Sequence, residues 1–274
     1  MYSYSKWIES FHQDGFLVIP SVLSKEQCEQ LKNDLDSTLK AKKKKGGIVK
    51  RMFENSQANL ELFWQEPVVT FAEKLIADNG SDEVLPGEDL QAYSKGIPSC
   101  NEIHVFHNNS FIIKGGREGL GGSSWHQDDT PHISSLDGNP ITNVRLNVLA
   151  ITCLYYLTDV PTPEYGPTQF IKGSHLFGLH CTNERAEKNM DKLVSALGPA
   201  GTCVIVNNQT WHRGGPNPSE RDRYVTQISY GKRLIGHKYG KFMNYQMPQD
   251  VIDHVDGDER KKRLLGFLGH GAYG

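Results

Sequence analysis

Hydrophobic and polar residues keep a helical rhythm through the first third of the chain and a strand-like rhythm after about residue 84. Early on, Phe16-Leu17-Val18-Ile19-Pro20 predicts a short strand closed by proline. Ser24 with Gln27 three residues later is a capping-box pattern, and Cys28, Leu31, Leu35 and Leu39 form one apolar stripe, so a helix is predicted up to the lysines at 42–45. Pro67, a good first-turn residue, predicts a second helix that buries Val68, Phe71, Ala72 and Leu75 and stops at Asn79-Gly80.

Beyond residue 84, short apolar runs are separated by Gly, Pro and Asn clusters. Glu102 to Lys114 predicts a strand with Ile103, Val105, Phe111 and Ile113 on one side and His104, Phe106, Asn108 and Ser110 on the other. Arg145 to Leu157 reads as a central buried strand, Thr158 to Pro167 as a connection, and Gly166 to His175 as a short strand with a glycine turn. Asn183 to Leu197 has the polarity of an exposed helix. Thr202 to Val206 and Asp222 to Lys232 are further strands, and Pro248 to Leu265 reads as a C-terminal helix. Many short strands with helices at both ends predict a mainly β (α+β) fold: a double-stranded β-helix, or jelly-roll (cupin-like), core with flanking α-helices. No internal repeat or domain boundary is visible, so residues 1–274 are expected to form a single domain.

Composition narrows the function. A chain of 274 residues with 37% hydrophobic residues can bury a core without disulfides or structural metal. Its net charge of −2 gives no bulk attraction to nucleic acid or to an acidic membrane. The lysines at 42–45 are expected to be a solvated helix end rather than a phosphate patch. Cys28, Cys100, Cys153, Cys181 and Cys203 are scattered, with no CxxC pair, which points to a reducing compartment. Neither a signal peptide nor an apolar run long enough to span a bilayer is apparent, so a cytoplasmic location is expected.

The chemistry centres on Trp125-His126-Gln127-Asp128-Asp129-Thr130. On a strand, His126 and Asp128 face the same side and can share a metal ion, although an HxD alone occurs by chance in many chains. His212, in Trp211-His212-Arg213-Gly214-Gly215, offers a third ligand (212 − 126 = 86 residues on). Two imidazoles and a carboxylate with open coordination positions make the facial triad of non-haem Fe(II) oxygenases. The turn after His212 reverses the chain, so Arg223 falls where it can look into the same mouth. Its guanidinium fork pairs bidentately with a carboxylate, such as the far end of 2-oxoglutarate. Arg221 serves instead if the register differs by two. The glycines of 115–124 precede the HxD stretch rather than a helix, which argues for a loop at the mouth of a site over a phosphate cradle. His175 and His180, near turns, are expected to be hydrogen-bonded into loops.

His126-Gln127-Asp128, Gly166-Pro167-Thr168 with Gly173-Ser174-His175, and Trp211-His212-Arg213-Gly214-Gly215-Pro216-Asn217 with Arg223 eleven residues after the histidine together resemble the phytanoyl-CoA dioxygenase family. The opening Asp14-Gly15-Phe16-Leu17-Val18-Ile19-Pro20 is similar to that family's start, so the resemblance runs from about residue 14 to the mid-230s. It implies Fe(II), 2-oxoglutarate and O2 as cofactor and cosubstrates, with His126, Asp128 and His212 as metal ligands and Arg223 as the cosubstrate clamp. Asn108 is assigned to the cosubstrate beside Arg223, and Trp125, Asp129, Thr130 and Trp211 to the substrate. The chain departs from the family at Lys172, where proline is common, and at Gly214, where some members place a hydroxyl that helps bind the cosubstrate. That help must then come from elsewhere or be absent. Related halogenases carry a small residue in place of Asp128, so the carboxylate favours oxygenation. The expected reaction is C–H oxidation of a small, polar metabolite, hydroxylation first, with desaturation, epoxidation or rearrangement as variants. The alternatives are an acyl-CoA or lipophilic substrate, or a non-oxidative cupin-like metalloprotein. The expected partner is a small-molecule substrate, with neither nucleic acid nor membrane.

Overall fold

Ser24 caps the longest helix: its hydroxyl accepts the Gln27 amide at 3.2 Å while the Gln27 side chain accepts the Ser24 amide at 2.8 Å. The computed structural model, which describes residues 3–43, 47–77, 103–116, 124–128, 134–142, 147–236 and 245–267, is mixed α/β with antiparallel sheets. Its helices are α1 (Tyr4–Asp14), α2 (Lys25–Ala41), α3 (Gln57–Glu61), α4 (Val68–Ala72), α5 (Asn183–Glu187), α6 (Gln249–His254) and α7 (Glu259–Leu264). Its strands are β1 (Phe16–Ile19), β2 (Ile48–Lys50), β3 (Ile103–Ile113), β4 (Ala150–Tyr156), β5 (Thr168–Ile171), β6 (Leu193–Ser195), β7 (Cys203–Asn207), β8 (His212–Gly214) and β9 (Arg223–Lys232). Among the described residues, no helix is long and apolar enough to cross a membrane.

A six-stranded sheet has the order β1-β7-β4-β9-β3-β2, and a three-stranded sheet the order β6-β5-β8. A backbone bridge joins His126 to His212, so the HxD stretch lies beside β8 at the open edge of the smaller sheet. One face of the large sheet packs on helices through Ile151, Cys153, Tyr155, Ile205, Ile228 and Tyr230, against α1, α2 and α4. Its other face meets the small sheet: Phe111, Tyr156, Val204, Val206 and Val225 surround Phe170 of β5, and Phe16 stacks on Phe170 at 4.4 Å. Apolar residues on alternating positions thus face two separate cores, as a strand buried on both sides requires.

Three sequence expectations change. Ile103 and Val105 lie against the helices, whereas Phe111 and Ile113 lie between the sheets, because a bulge between Val105 and His107 reverses the alternation. The stretch predicted as one exposed helix is α-helical only over Asn183–Glu187, with a 3-10 turn over Met190–Lys192; Leu193, Val194 and Ser195 pair with β5 instead. The C-terminal helix is two, broken where Gly257 takes φ +82° and Asp258 caps α7 through the Lys261 amide. Beyond Ala72 the second helix continues as a π-helical turn over Glu73–Ala77, and its expected end at Asn79-Gly80 lies outside the described residues. Helix α1 was not anticipated: it buries Ile8 and Phe11 and ends at Gly15 in the left-handed conformation. Lys42 and Lys43 are exposed, as expected of a helix end. The C-terminal helices are tied to the rest by Arg260 and Arg263, which both pair with Glu73.

Candidate metal centre

Reciprocal backbone bonds set the spacing of the two histidines: each N–H donates to the other's carbonyl at 3.0 Å, and the rings lie 4.3 Å apart. Asp128, two residues after His126, falls on the same side, with Oδ1 3.8 Å from His212 Nε2. One ligand atom from each of His126, Asp128 and His212 lies within 4.8 Å of the other two. With ligand bonds of roughly 2.0–2.2 Å, three donors on one face of an ion stand about 3 Å apart, so a shift of about 1 Å in each donor closes the site.

Both imidazoles are held in the form a metal needs. His126 Nδ1 lies 3.0 Å from the Ser124 carbonyl and His212 Nδ1 2.8 Å from the Thr210 carbonyl. A carbonyl only accepts, so each Nδ1 carries the proton and each Nε2 keeps its lone pair for an ion. Burial pushes the His212 pKa down against the pull of Asp128, with His126 adding to the fall, which favours the neutral ligand form. Two neutral imidazoles and one carboxylate on one side of an ion fit Fe(II) with positions left open. His126 is exposed and Asp128 partly so, which leaves the site accessible.

The loops behind this site are fixed from below. The Asp128 amide donates to the Asn208 carbonyl at 2.8 Å. Gln127, pointing the other way, donates to the Gln209 carbonyl at 2.9 Å and accepts the Cys181 amide at 2.8 Å. Gly173-Ser174-His175 ties α1 to β8: the Gly173 amide donates to Asp14, the Ser174 hydroxyl accepts the Trp211 amide at 2.8 Å, and His175 bonds the His12 carbonyl. His175 is therefore a loop residue, as expected. Gly15 packs directly on this clamp, where a Cβ would lie 2.2 Å from Thr210 Oγ1 and 2.6 Å from His175 Nδ1.

Arg223 reaches the same space from β9. Phe170 of β5 lies opposite His212 and Thr168 opposite Gly214. Thr168 and Phe170 share a face, and the Phe170 ring lies 6.3 Å from the His212 ring. Arg223 donates to the Gly166 carbonyl and, at 3.3 Å, to the Thr168 hydroxyl, and its guanidinium lies 4.3 Å from the Tyr156 ring centre. It thus sits two strand residues, about 7 Å, below the level of His212. The side chain is 3% exposed, burial pushes its pKa down against Tyr156, and Nε has no acceptor. Among the described residues no carboxylate pairs with it. A buried guanidinium in that state has donor capacity left that a carboxylate could fill bidentately.

Other expected site residues lie elsewhere. Trp125 and Trp211 turn away from the metal ligands, by the same alternation that brings the histidines together, and pack with Ile171 and Ala186 under α5. Both were assigned to the substrate, and the structure gives them a packing position instead. Asn108 also faces away: one residue of bulge puts it opposite Ile228 on the helix side, where Oδ1 accepts the Phe53 amide and Nδ2 donates to the Gln227 carbonyl. Asp129 and Thr130 lie outside the described residues. Sequence reasoning missed Thr168 and Tyr156, which hold Arg223, although the Gly-Pro-Thr run had been singled out. It also missed Asn109 and Gln227, which face the space between the sheets and would have emerged only once the bulge was known.

A model of the family described as Phytanoyl-CoA dioxygenase (PhyH) matches residues 11–225. The ectoine dioxygenase of Stutzerimonas stutzeri (strain A1501) is 24% identical over 253 residues, spanning 78% of this chain and 72% of that protein. HygX from Streptomyces hygroscopicus, solved with nickel and 2-oxoglutarate bound, superposes with a TM-score of 0.58 at 16% identity, covering 85% of this chain and 88% of HygX. SnoN, a non-haem α-ketoglutarate-dependent epimerase from nogalamycin biosynthesis, gives a TM-score of 0.55 at 18% identity over 84% of this chain and 83% of its own.

Proposed function

The chain belongs to the phytanoyl-CoA dioxygenase family, and from that premise we propose that it oxidises a C–H bond of a small, polar metabolite or natural-product intermediate, hydroxylation being the principal outcome. It is an Fe(II)- and 2-oxoglutarate-dependent dioxygenase that uses O2. In this reading His126, Asp128 and His212 hold the iron, and Arg223 receives the far carboxylate of 2-oxoglutarate. The observation that carries it is a buried guanidinium with no carboxylate partner among the described residues, about 7 Å from the triad along β5. A zinc hydrolase or a structural metal barrel has no use for such a group there.

The two sheets support a jelly roll. Strands β3, β9, β4 and β7 form one wall, and the HxD stretch, β8, β5 and β6 form the other, with the apolar cluster around Phe170 between them. An iron held by His126, Asp128 and His212 would, with 2-oxoglutarate and O2, supply the oxidising power for C–H cleavage. The protein's part is geometric. The Ser124 and Thr210 carbonyls orient the imidazoles, and Asp128 would supply the carboxylate ligand beside them. Thr168 stands opposite Gly214 and contacts Arg223, so its hydroxyl supplies the help that Gly214 lacks. Substrates of relatives favour a polar ligand over an acyl-CoA: HygX has been solved with hygromycin B, and the S. stutzeri relative is an ectoine dioxygenase. Free Cys28, Cys153, Cys181 and Cys203 suit a reducing, cytoplasmic setting.

The test is anaerobic titration of the Fe(II)-loaded protein with 2-oxoglutarate, followed by its visible charge-transfer absorption. Saturable absorption is expected, and succinate should form on admitting O2. Absence of both in the wild type would refute the reading.

A further inference from the structure

In each of three adjacent interior strands of the large sheet, one position facing the space between the sheets is only partly buried while its neighbours along the strand on that face are sealed. These positions are His107 in β3, Leu154 in β4 and Gln227 in β9. They are neighbours: Gln227 pairs with both Asn109 and Leu154, and the next inward pair is Ser229 with His107 and Thr152. Leu154 packs on the cluster around Phe170, so the patch lies on the inner wall, facing the small sheet. Within β3, β4 and β9, solvent therefore reaches the inner wall at one place, centred on Gln227.

Its depth distinguishes it from the cosubstrate site. Gln227 is four residues beyond Arg223, about 13 Å along the strand, whereas the metal ligands lie about 7 Å above Arg223. Thr152, in the same patch, donates to the Asn208 side chain at 3.1 Å, and the Asn208 carbonyl accepts the Asp128 amide. The patch is therefore beside Asp128 and on the far side of the metal from Arg223. A dicarboxylate stretched between iron and Arg223 does not occupy it.

Its chemistry is neutral and unsatisfied. Asn109 is 7% exposed; Nδ2 lies 2.9 Å from His107 Nε2, and Oδ1 is buried with no donor. The Gln227 carboxamide beside it meets no hydrogen-bond partner among the described residues. Buried amide oxygens without partners are rare, because each forfeits its bond to water. Arg223 is the only arginine or lysine on the inward positions of β3, β4 and β9; the cation nearest by register is Lys50, exposed on the edge strand β2 opposite Asn109, so the charge lies at the rim of the patch and its floor is made of uncharged amides.

We propose that the paired carboxamides of Asn109 and Gln227 recognise a neutral hydroxyl or carboxamide of the primary substrate, Asn109 Oδ1 accepting its proton and Gln227 offering both a donor and an acceptor. This rests on the oxygenase reading above. It makes the two residues specificity determinants and directs the search to polyols, glycosides and amides rather than acyl-CoA thioesters.

The experiment compares wild type with Asn109→Leu and Gln227→Met. Succinate release is measured with a panel of neutral polyols, glycosides and amides and with a panel of short acyl-CoAs. Compounds that stimulate release are also added to the Ni(II)- and 2-oxoglutarate-loaded protein, and the shift in melting temperature is read without turnover. The neutral panel should contain the stimulating compounds. Each variant should raise their KM at least about fivefold, the worth of one hydrogen bond to a neutral group. kcat should change less, the melting shift should be lost, and 2-oxoglutarate affinity should stay within about twofold. Stimulation by acyl-CoAs alone, by nothing in the neutral panel, or a variant that weakens 2-oxoglutarate binding as much as substrate binding would overturn the proposal. Failure of the wild type to bind 2-oxoglutarate at all would instead strike the oxygenase reading, and unchanged 2-oxoglutarate binding in the variants shows that they are folded.

Discussion

Arg223→Met removes the guanidinium while keeping an unbranched side chain beside the Tyr156 ring. Two of its donors are already used on the Gly166 carbonyl and the Thr168 hydroxyl, so the fork is held rigid and its remaining face is available to a ligand. At 3% exposure, a carboxylate placed there is shielded from water, and losing one partner of such a buried charge pair costs about 2–5 kcal/mol. Taking about 2.7 kcal/mol, the dissociation constant for 2-oxoglutarate should rise roughly 100-fold. The assay is the anaerobic titration of Fe(II) protein, with thermal melting as a second readout. At a cosubstrate concentration of about 100 Kd, wild type gains about 2.7 kcal/mol, or roughly 5–10 °C for a chain of this size. At the same concentration the variant should gain about 1 °C. Arg223→Lys keeps the charge but not the fork and should fall between the two. A variant constant within threefold of wild type would refute the placement of the cosubstrate carboxylate at Arg223.

Asp128→Ala leaves two imidazoles at the ion, and calorimetric titration with Co(II) should find affinity lower by at least about 100-fold, more than an outer-shell change costs; near-normal affinity would remove Asp128 from the ligand set. Gly15→Ala places a Cβ 2.2 Å from Thr210 Oγ1 at φ +83°, so strain and overpacking together should destabilise the fold by about 2–5 kcal/mol. Because Thr210 also orients His212, Co(II) affinity should drop with the melting temperature; an unchanged melting curve would contradict the close packing at this turn. Burial raises the Glu73 carboxyl pKa, but hydrogen bonds and charge from Arg260 and Arg263 outweigh it, leaving the folded value below the ordinary 4.5. A depressed carboxylate stabilises above its unfolded pKa and loses that contribution as pH falls through the folded value. The melting difference between wild type and Glu73→Gln should therefore be present at neutral pH and vanish well below pH 4.5, and an equal difference at both would contradict the ion-pair account.

The convergence of His126, Asp128 and His212 was legible because a strand's period of two is short-range: His126 and Asp128 need only their own backbone to share a face. Arg223 was legible because the turn after His212 fixes the direction of the next strand, leaving only Arg221 as a rival. Helix α2 announced itself through Ser24, Gln27 and its stripe. What failed was non-local. The β3 bulge is set by pairing with β9, 119 residues away at the Asn108–Gln227 bond, and it moved Asn108 off the inner wall and put Asn109 on it. Leu193 to Ser195 became a strand because β5 offers an open edge, which a single-segment reading does not see. The outward turn of Trp125 and Trp211 followed from the same alternation as the ligands, and had it been applied to them they would have been assigned to packing.

The two histidines are spaced by main-chain hydrogen bonds, N–H to carbonyl in both directions, and oriented by the Ser124 and Thr210 carbonyls. Main-chain groups are the same whatever the side chain, so neighbouring residues can mutate without changing the distance between the imidazoles. Selection is thus free to rewrite the inner wall around Gln227 while the iron position stays fixed. For the engineer this separates two tasks: new substrates are sought by varying the inward positions of β3, β4 and β9 around Gln227, with Arg223, Tyr156, the HxD stretch and β8 left untouched. For the lineage it means that a change of diet need not pass through an ancestor unable to bind iron.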